Sequence, residues 1–411
     1  MELDLGPQYK KFRAEIRDWI EQNAPEGLAE LAHWGWQPVA GGRRGRGLVQ
    51  AQSDPIYQEW SRRLSDANLI CAQWPSEVGG QGWDGVRVAI FNEELRQKGV
   101  PAVRRGMGET LCGPAIIVHG TPEQKAYFLP RIVAGLDVYC QGYSEPNHGS
   151  DLGAVETRGI VDGDELVITG QKIWTSGAKT ANMIFVICRT DPDAPKHRGL
   201  SYVLVPFSEF NGVTVRPVRQ MTGAAEFCED FLDGARAPLF NVIGGLNNGW
   251  IPAMTTLSYE RGGSATTAHL GFEQELRDLI DLAKRNGRSN DPLIRQRLAW
   301  CYTQVQLMRF AGLRLLSNLA EGREPGPEAS GSKLFWSEYH KIFGEVAVDI
   351  VGAGAMVRPA GEGYETNEWQ DIFLASRAGT IYSGTSQIQK NIIGERALGL
   401  PREPKAATER A

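Results

Sequence analysis

The chain has 411 residues, a length that suits two or three domains with sizeable cores. Its apolar fraction of 42% is that of an ordinary globular protein, which excludes global disorder. A formal net charge of -5 argues against binding a phosphate backbone through bulk electrostatics, so no nucleic-acid partner is expected.

The six cysteines are scattered without any Cys-x-x-Cys pair, which gives no support for a zinc or thioredoxin-like site. Several lie in apolar runs, so buried free thiols in a reducing cytosol are the simplest expectation. Residues 1–11 are polar and contain no signal-peptide core, and no apolar run is long enough to span a bilayer. The histidines show no metal-ligand spacing. We therefore expect a cytoplasmic protein with no membrane span and no metal site.

The first third of the chain has helical periodicity. Apolar residues recur at three- and four-residue steps, as in Tyr9, Phe12, Ile16, Trp19 and Ile20. Asp54-Pro55 has the pattern of an N-cap and first helical residue, and Thr121 with Gln124 has that of a capping box. The Gly/Arg-rich segment 31–47 is interpreted as a solvated excursion between helices. These features predict an N-terminal helical domain over residues 1–136.

The middle of the chain, residues 137–242, changes to short β-rich segments. Asp162-Gly163 is a hairpin-type turn, and apolar runs follow at 183–188, 200–205 and 213–218. No long helical pattern separates these runs. They therefore predict an antiparallel sheet or small barrel rather than a βαβ array.

The last third, residues 243–411, is helical again. Pro252 suits a first helical turn, and the absence of further proline between 253 and 286 predicts one unusually long helix. Asp291 is the expected N-cap of the next helix, and helices are predicted over 332–350 and 380–396. Long helices with short links indicate a bundle, which makes the whole chain an α+β protein.

Residues 346–354 resemble the opening of a dinucleotide fingerprint, with Gly352 and Gly354 as its first two glycines. The third glycine is missing, and the strand–helix alternation of a Rossmann unit is absent. We therefore interpret these glycines as the end of a helix, where the backbone can approach another group closely.

Three other segments are candidate binding or catalytic elements. The loop 141–151 is rich in hydroxyl, Gly and Pro residues, and 170–177 places Trp174 beside two hydroxyls, a combination that suits an aromatic ligand plane. Glu260 lies in the apolar helix and is followed by small residues, which leave room for a ligand.

Together these segments resemble the acyl-CoA dehydrogenase family over nearly the whole chain. Tyr143-Ser-Glu-Pro-Asn-His-Gly-Ser-Asp151 resembles its first signature, and Ile381-Tyr-Ser-Gly-Thr-Ser-Gln-Ile-Gln389 its second. The segments 111–130, 170–176 and 248–250 also match, in order. The resemblance implies an α domain, a β-barrel-like domain and a C-terminal four-helix bundle, with FAD between the last two.

The resemblance also implies residue roles. It places FAD against Gln141, Tyr143, Ser144, Ser150, Trp174, Thr175, Ser176, Arg285, Thr385 and Gln387, and a neighbouring subunit's FAD against Asp349, Gly352 and Ala353. It places acyl-CoA against Ser150, Ser258, Arg261, Ser383 and Gly384. The shared cofactor site implies a homodimer or homotetramer, and a hetero-oligomer is the alternative. Position 288, usually aromatic in the family, is Arg288 here.

The commonest second signature has Glu where this chain has Ser383. A minority arrangement, resembling isovaleryl-CoA and long-chain dehydrogenases, carries the base on the long helix, and Glu260 stands at that position. The expected activity is α,β-dehydrogenation of an acyl-CoA in lipid β-oxidation, with electrons passed to electron-transfer flavoprotein. The alternatives are an oxidase or monooxygenase of the same fold, or one subunit of a heteromeric dehydrogenase.

Overall fold

A computed structural model of the chain describes residues 6–29, 54–262, 266–323, 329–357 and 366–402. The predicted excursion at 31–47 lies outside these residues. The structure confirms the α+β class. Helices occupy both ends of the chain and a mixed sheet occupies the middle.

The N-terminal helices are α1 (Pro7–Asn23), α2 (Pro55–Asp66), α3 (Gly85–Gln97), α4 (Gly113–His119) and α5 (Pro122–Val133). Both predicted caps are confirmed. The Asp54 carboxylate accepts from the Ile56 N–H at 2.8 Å, and Thr121 and Gln124 form a reciprocal capping box at the start of α5. A five-residue π-turn, Gly108–Cys112, leads directly into α4.

The middle segment forms an eight-stranded sheet. Its strands are β1 (Tyr139–Gly142), β2 (Arg158–Asp162), β3 (Glu165–Ser176), β4 (Met183–Arg189), β5 (Leu200–Pro206), β6 (Val213–Val218), β7 (Phe227–Pro238) and β8 (Val242–Ile243). The order is β6-β7-β3-β2-β4-β5-β8, with β1 pairing to β4 off this path. Most pairs are antiparallel as predicted, but β1 and β2 each pair with β4 in parallel.

The C-terminal helices are α6 (Trp250–Gly262), α7 (Ala268–Arg285), α8 (Pro292–Ala320), α9 (Ala329–Val351), α10 (Glu368–Gly379) and α11 (Ser386–Ile392). The prediction of one helix from 253 to 286 is wrong, because Thr266 and Thr267 form a turn between α6 and α7. Glycine and β-branched threonine are poor helix formers, so the small-residue stretch after α6 favours the break. The sequence also missed α10, and the helix predicted from 380 begins only at Ser386.

The apolar residues form three clusters. One joins the N-terminal helices to the inner face of β4 and β5, one fills the sheet, and one lies among α7, α8, α9 and α10. All six cysteines are free and buried in these clusters, as expected. Within the described ranges no helix is both long and apolar enough to cross a membrane. The same ranges contain no group of three or more His, Cys, Asp or Glu that could hold a metal ion.

Candidate active site

A buried ion pair attaches the loop after β1 to strand β3. Lys172 Nζ donates to Glu145 Oε1 at 2.8 Å, and also to the carbonyls of Tyr143 and Ile187 at 3.2 and 2.9 Å. The Glu145 carboxylate accepts from the N–H groups of Glu156 and Thr157 at 2.7 and 2.9 Å. One lysine and one glutamate therefore fix both ends of the loop that contains the predicted contacts Tyr143, Ser144 and Ser150.

Burial works against ionisation of both partners in this pair. Burial lowers the pKa of Lys172 from its ordinary value, although Glu145 opposes the shift. Burial also acts to raise the pKa of Glu145, but Lys172 and the backbone N–H donors outweigh it and hold that pKa below its ordinary value. The carboxylate thus stays ionised and keeps the loop in place.

Trp174 lies at a β-bulge in β3 with its side chain 55% exposed. Its φ of 65° is in the left-handed region, which is rare for a bulky residue and typical of functional sites. The neighbouring Ile173 N–H donates to the Ser144 carbonyl at 3.0 Å, so Trp174 and Ser144 lie on adjacent segments. The Thr175 side chain points away, because it is fully buried and donates to the Cys228 carbonyl. Ser176, the last residue of β3, is half-buried.

An aromatic cluster connects this loop to helix α6. Phe185 and Tyr202 stack at 5.8 Å between ring centroids, and Tyr143 contacts both edge-on. The hydroxyl of Tyr202 lies 3.4 Å from that of Thr256, which is buried on α6. Glu260 follows Thr256 by four residues and therefore lies on the same face of the helix.

The side chains of Glu260 and Arg261 lie outside the described residues, but their surroundings are described. Ser258 is exposed and donates to the Thr255 carbonyl, and Thr255 is hydrogen-bonded to His119 of α4 at 2.7 Å. Ser150 is exposed beside the Lys196–Asp151 ion pair, and Gln141 lies half-buried on β1.

A second group of predicted residues lies at the far end of the bundle. Asp349 is exposed near the end of α9, where it pairs with Arg297 of α8. Asn286, next to Arg285, donates to the Ile350 carbonyl at 3.4 Å, so Arg285 and the 349–353 segment are brought together. Gly352 has a φ of 70° and is followed by a 3-10 turn with exposed Ala353, as expected of glycine at a helix end.

The second-signature turn lies at the opposite end of α9. Ser383 and Gly384 both have positive φ, 53° and 87°. The Ser383 carbonyl accepts from Gln389 Nε2 at 2.9 Å, and the Gly384 carbonyl accepts from Lys333 Nζ at 2.7 Å. Thr385 is the N-cap of α11, and its hydroxyl accepts from the Ile388 N–H, while Gln387 is exposed.

Sequence reasoning missed the residues that support the site. Lys172, Tyr202, Lys333 and Gln389 were given no role, yet each contacts a predicted site segment. The available signal was a lysine directly followed by apolar residues, as in Lys172-Ile-Trp and Lys333-Leu-Phe-Trp. A lysine in such a run needs a buried acceptor.

The chain is similar to known proteins over nearly its whole length. The chain matches the acyl-CoA dehydrogenase N-terminal domain over residues 46–136, the middle domain over 140–233 and the C-terminal domain over 247–398. The acyl-CoA dehydrogenase IpdE1 of Mycobacterium tuberculosis is 41% identical over 396 residues, which cover 96% of this chain and 99% of that protein.

Two solved structures share the fold over nearly the full length. The Tcur3481-Tcur3483 steroid ACAD is 29% identical with a TM-score of 0.77, covering 98% of this chain and 100% of that one. The ChsE4-ChsE5 complex from Mycobacterium tuberculosis is 27% identical with a TM-score of 0.76, again covering 98% and 100%. With three domain matches and a 41% identical relative, the chain belongs to the acyl-CoA dehydrogenase family of FAD-dependent oxidoreductases that act on acyl-CoA.

Proposed function

We propose that this chain dehydrogenates the α,β-bond of an acyl-CoA with Glu260 as the base, and that electron-transfer flavoprotein reoxidises its FAD. The observation that carries the assignment is the second-signature turn, which offers Ser383 and no carboxylate. Tyr202 connects Thr256 of α6 to the loop that contains Tyr143. Glu260 follows Thr256 by one helical turn.

The residues of the β3 edge fit a flavin. Trp174 presents an exposed ring from a strained backbone, and the hydroxyls of Ser144 and Ser176 lie on the adjacent segments. Gln141 and Tyr143 complete the loop side, and the Lys172–Glu145 pair holds that loop against β3. When bound, FAD supplies a two-electron acceptor for the hydride that leaves the β-carbon.

The protein's own contribution is proton removal and stabilisation of the negative charge. The α-proton of a thioester is too weakly acidic for a carboxylate in water, so donors to the thioester oxygen are required. We assign one donor to the backbone N–H of Ser383, which remains when serine replaces glutamate. Enclosure of Glu260 by acyl chain and cofactor would raise its carboxyl pKa toward neutrality and make it a stronger base.

We assign a bulky, fused-ring acyl group to this site. The support is the similarity to a protein described as a steroid ACAD, at 29% identity over 98% of this chain. The small residues after Glu260 leave space near the base for such a group. A straight chain in fatty acid β-oxidation is the alternative, since a short-chain-specific acyl-CoA dehydrogenase of Clostridium acetobutylicum is 28% identical over 406 residues.

We assign an oligomer in which subunits share FAD sites. Asp349 lies 16 residues beyond Lys333 on α9, so the 349–353 segment and the second-signature turn are about 24 Å apart along that helix. One protomer therefore offers cofactor contacts at both ends of its bundle, which suits a dimer or tetramer. Two of the similar structures carry the names of two proteins each, Tcur3481-Tcur3483 and ChsE4-ChsE5, so a complex with a different chain is the alternative.

The Glu260→Gln variant tests the base assignment. It keeps the shape of the side chain but removes its basicity, so stopped-flow reduction of the flavin by acyl-CoA should slow by roughly 10²–10⁴-fold. FAD content and acyl-CoA binding should change little. The matched control is Glu273→Gln on α7, whose carboxylate pairs with Arg277 and should leave the reduction rate unaltered.

Adding Ser383→Glu to Glu260→Gln places a carboxylate at the commoner position and should restore part of the rate. Near wild-type reduction in Glu260→Gln alone would exclude this residue as the base. Oxygen consumption without an added acceptor would favour the oxidase or monooxygenase alternative. A colourless protein that binds FAD only after a second chain is supplied would favour the heteromeric alternative.

A further inference from the structure

The second-signature turn is held from behind by two buried side chains. Gln389 is fully buried and donates to the Ser383 carbonyl, and Lys333 is 6% exposed and donates to the Gly384 carbonyl. The φ of 87° at Gly384 favours glycine, and a Cβ there would also lie 2.6 Å from Gln389 Nε2. Specific contacts to both carbonyls therefore hold the turn in place.

These contacts orient the peptide planes of the turn. In a trans peptide the carbonyl and the following N–H point in opposite directions. Since the carbonyls of Ser383 and Gly384 face Gln389 and Lys333, the N–H groups of Gly384 and Thr385 face the other side. Ser386 strengthens the arrangement by donating to Glu338 of α9 at 2.6 Å.

Lys333 adds a feature that a neutral support would not need. A lysine ammonium is among the costliest groups to bury, and an amide such as that of Gln389 suffices to hold a carbonyl. A positive charge next to a peptide carbonyl oxygen increases the polarity of that peptide. It also adds a favourable potential on the N–H side of the turn, where negative charge develops.

We infer that Lys333 is a positioning residue for proton removal from the substrate. Its ammonium fixes the Gly384–Thr385 peptide, and with it the turn that contains Ser383, and its charge stabilises the enolate-like thioester oxygen through the intervening peptides. This inference rests on the proposed function, since it assigns the turn to the thioester oxygen. The contact that carries this assignment is the one between Lys333 Nζ and the Gly384 carbonyl, so Lys333 is assigned as a positioning residue and not as a catalytic one.

The test is Lys333→Met, which keeps the length of the side chain and removes its charge. A 3-thiaacyl-CoA is a suitable probe, because its α-proton can be removed while sulfur at the β-position leaves no hydride to transfer. Its bound enolate gives a long-wavelength charge-transfer band with oxidised flavin. The pH of half-maximal absorbance should rise by about 1–2 units in Lys333→Met, the equivalent of a 10- to 100-fold loss of enolate stabilisation.

The turnover measurements separate this role from a merely structural one. In Lys333→Met we expect kcat to fall by roughly 10- to 100-fold with KM little changed, less than the loss for removing a direct oxyanion donor. Lys11→Met, on the exposed surface of α1, removes the same charge and should match wild type in both assays. Lys333→Gln keeps a donor without the charge, and it serves as the test variant if Lys333→Met fails to retain FAD.

The possible results are distinguishable. A titration in Lys333→Met or Lys333→Gln that coincides with wild type, with FAD retained, overturns the inference and leaves the proposed function intact. Absence of both flavin reduction and enolate formation in wild-type protein with every acyl-CoA overturns the proposed function itself. A raised titration midpoint in both variants supports the inference.

Discussion

At the scale of single residues, Asp230 is the most unusual acid of the described sheet. It is fully buried on β7, and neither carboxylate oxygen has a hydrogen-bond partner in the described structure. It lies opposite Lys172 in the β3–β7 register, but the lysine ammonium is directed to Glu145 instead. Burial raises the pKa of Asp230 to about 6, against a smaller opposing effect of the Thr175 hydroxyl.

This raised pKa makes the stability of the fold depend on pH. The folded state holds the Asp230 proton up to about pH 6, whereas the unfolded chain loses it near its ordinary value, so stability falls as pH rises between those values. Asp230→Asn removes this contribution. The difference in unfolding free energy, Asp230→Asn minus wild type, should therefore rise by about 2–3 kcal/mol from pH 4 to pH 7.

Urea unfolding at several pH values measures the difference. Exposed Asp193 provides the control, as Asp193→Asn removes one carboxylate from a surface loop. A wild-type to Asp230→Asn difference that stays constant from pH 4 to pH 7 would contradict the assignment of a raised pKa.

Residue chemistry was readable from the sequence only where a motif carried it. Trp174 could be nominated because an aromatic beside two hydroxyls suits a ligand plane. The left-handed backbone of Trp174 could not be predicted from the sequence, because the β-bulge between β3 and β7 imposes it. The direction of the Thr175 side chain could not be predicted from the sequence either, because the same bulge determines which side chains of β3 are buried.

At the scale of elements, the Lys172–Glu145 pair joins a loop to a strand. Both side chains are essentially buried, with the Lys172 side chain at 0% and that of Glu145 at 5% exposure. Removing one partner of a buried pair leaves an uncompensated group and typically costs 3–5 kcal/mol. Glu145→Gln should therefore lower the unfolding free energy by about that amount, less whatever Lys172 recovers by losing its proton.

The same loop contains an exposed ion pair for comparison. Asp151 and Lys196 are 58% and 50% exposed, so Asp151→Asn should cost no more than about 1 kcal/mol. FAD content and urea midpoint should both fall in Glu145→Gln, and replacing Lys172 by Met in that background should recover part of the stability. Equal losses in Glu145→Gln and Asp151→Asn would show that burial does not distinguish the two pairs.

Elements with local signals were predictable, and those decided by tertiary contacts were not. The capped starts of α2, α5 and α8 were predicted from Asp54, Thr121 and Asp291, because a cap is a contact within four residues. The break after α6 was missed because the absence of proline was taken as continuity. The parallel pairing of β1 with β4 depends on packing between distant segments.

At the scale of the whole molecule, the order of helices, sheet and helices followed from the change in periodicity along the chain. The N-terminal helices pack against β4 and β5, and the proposed site comprises the β1 loop, β3 and α6. The assignment of the site segments along the chain stays a prediction from the sequence. It could not show that α9 separates the 349–353 segment from the second-signature turn by its own length.

The distribution of thiols provides a readout of how the molecule opens. Cys71 and Cys112 lie in the N-terminal cluster, Cys140, Cys188 and Cys228 in the sheet, and Cys301 in the bundle. A buried thiol reacts with an alkylating reagent only when its surroundings open, so each labelling rate reports local unfolding of one cluster. Mass spectrometry of timed labelling should therefore resolve three protection classes, and added FAD should slow the sheet cysteines most.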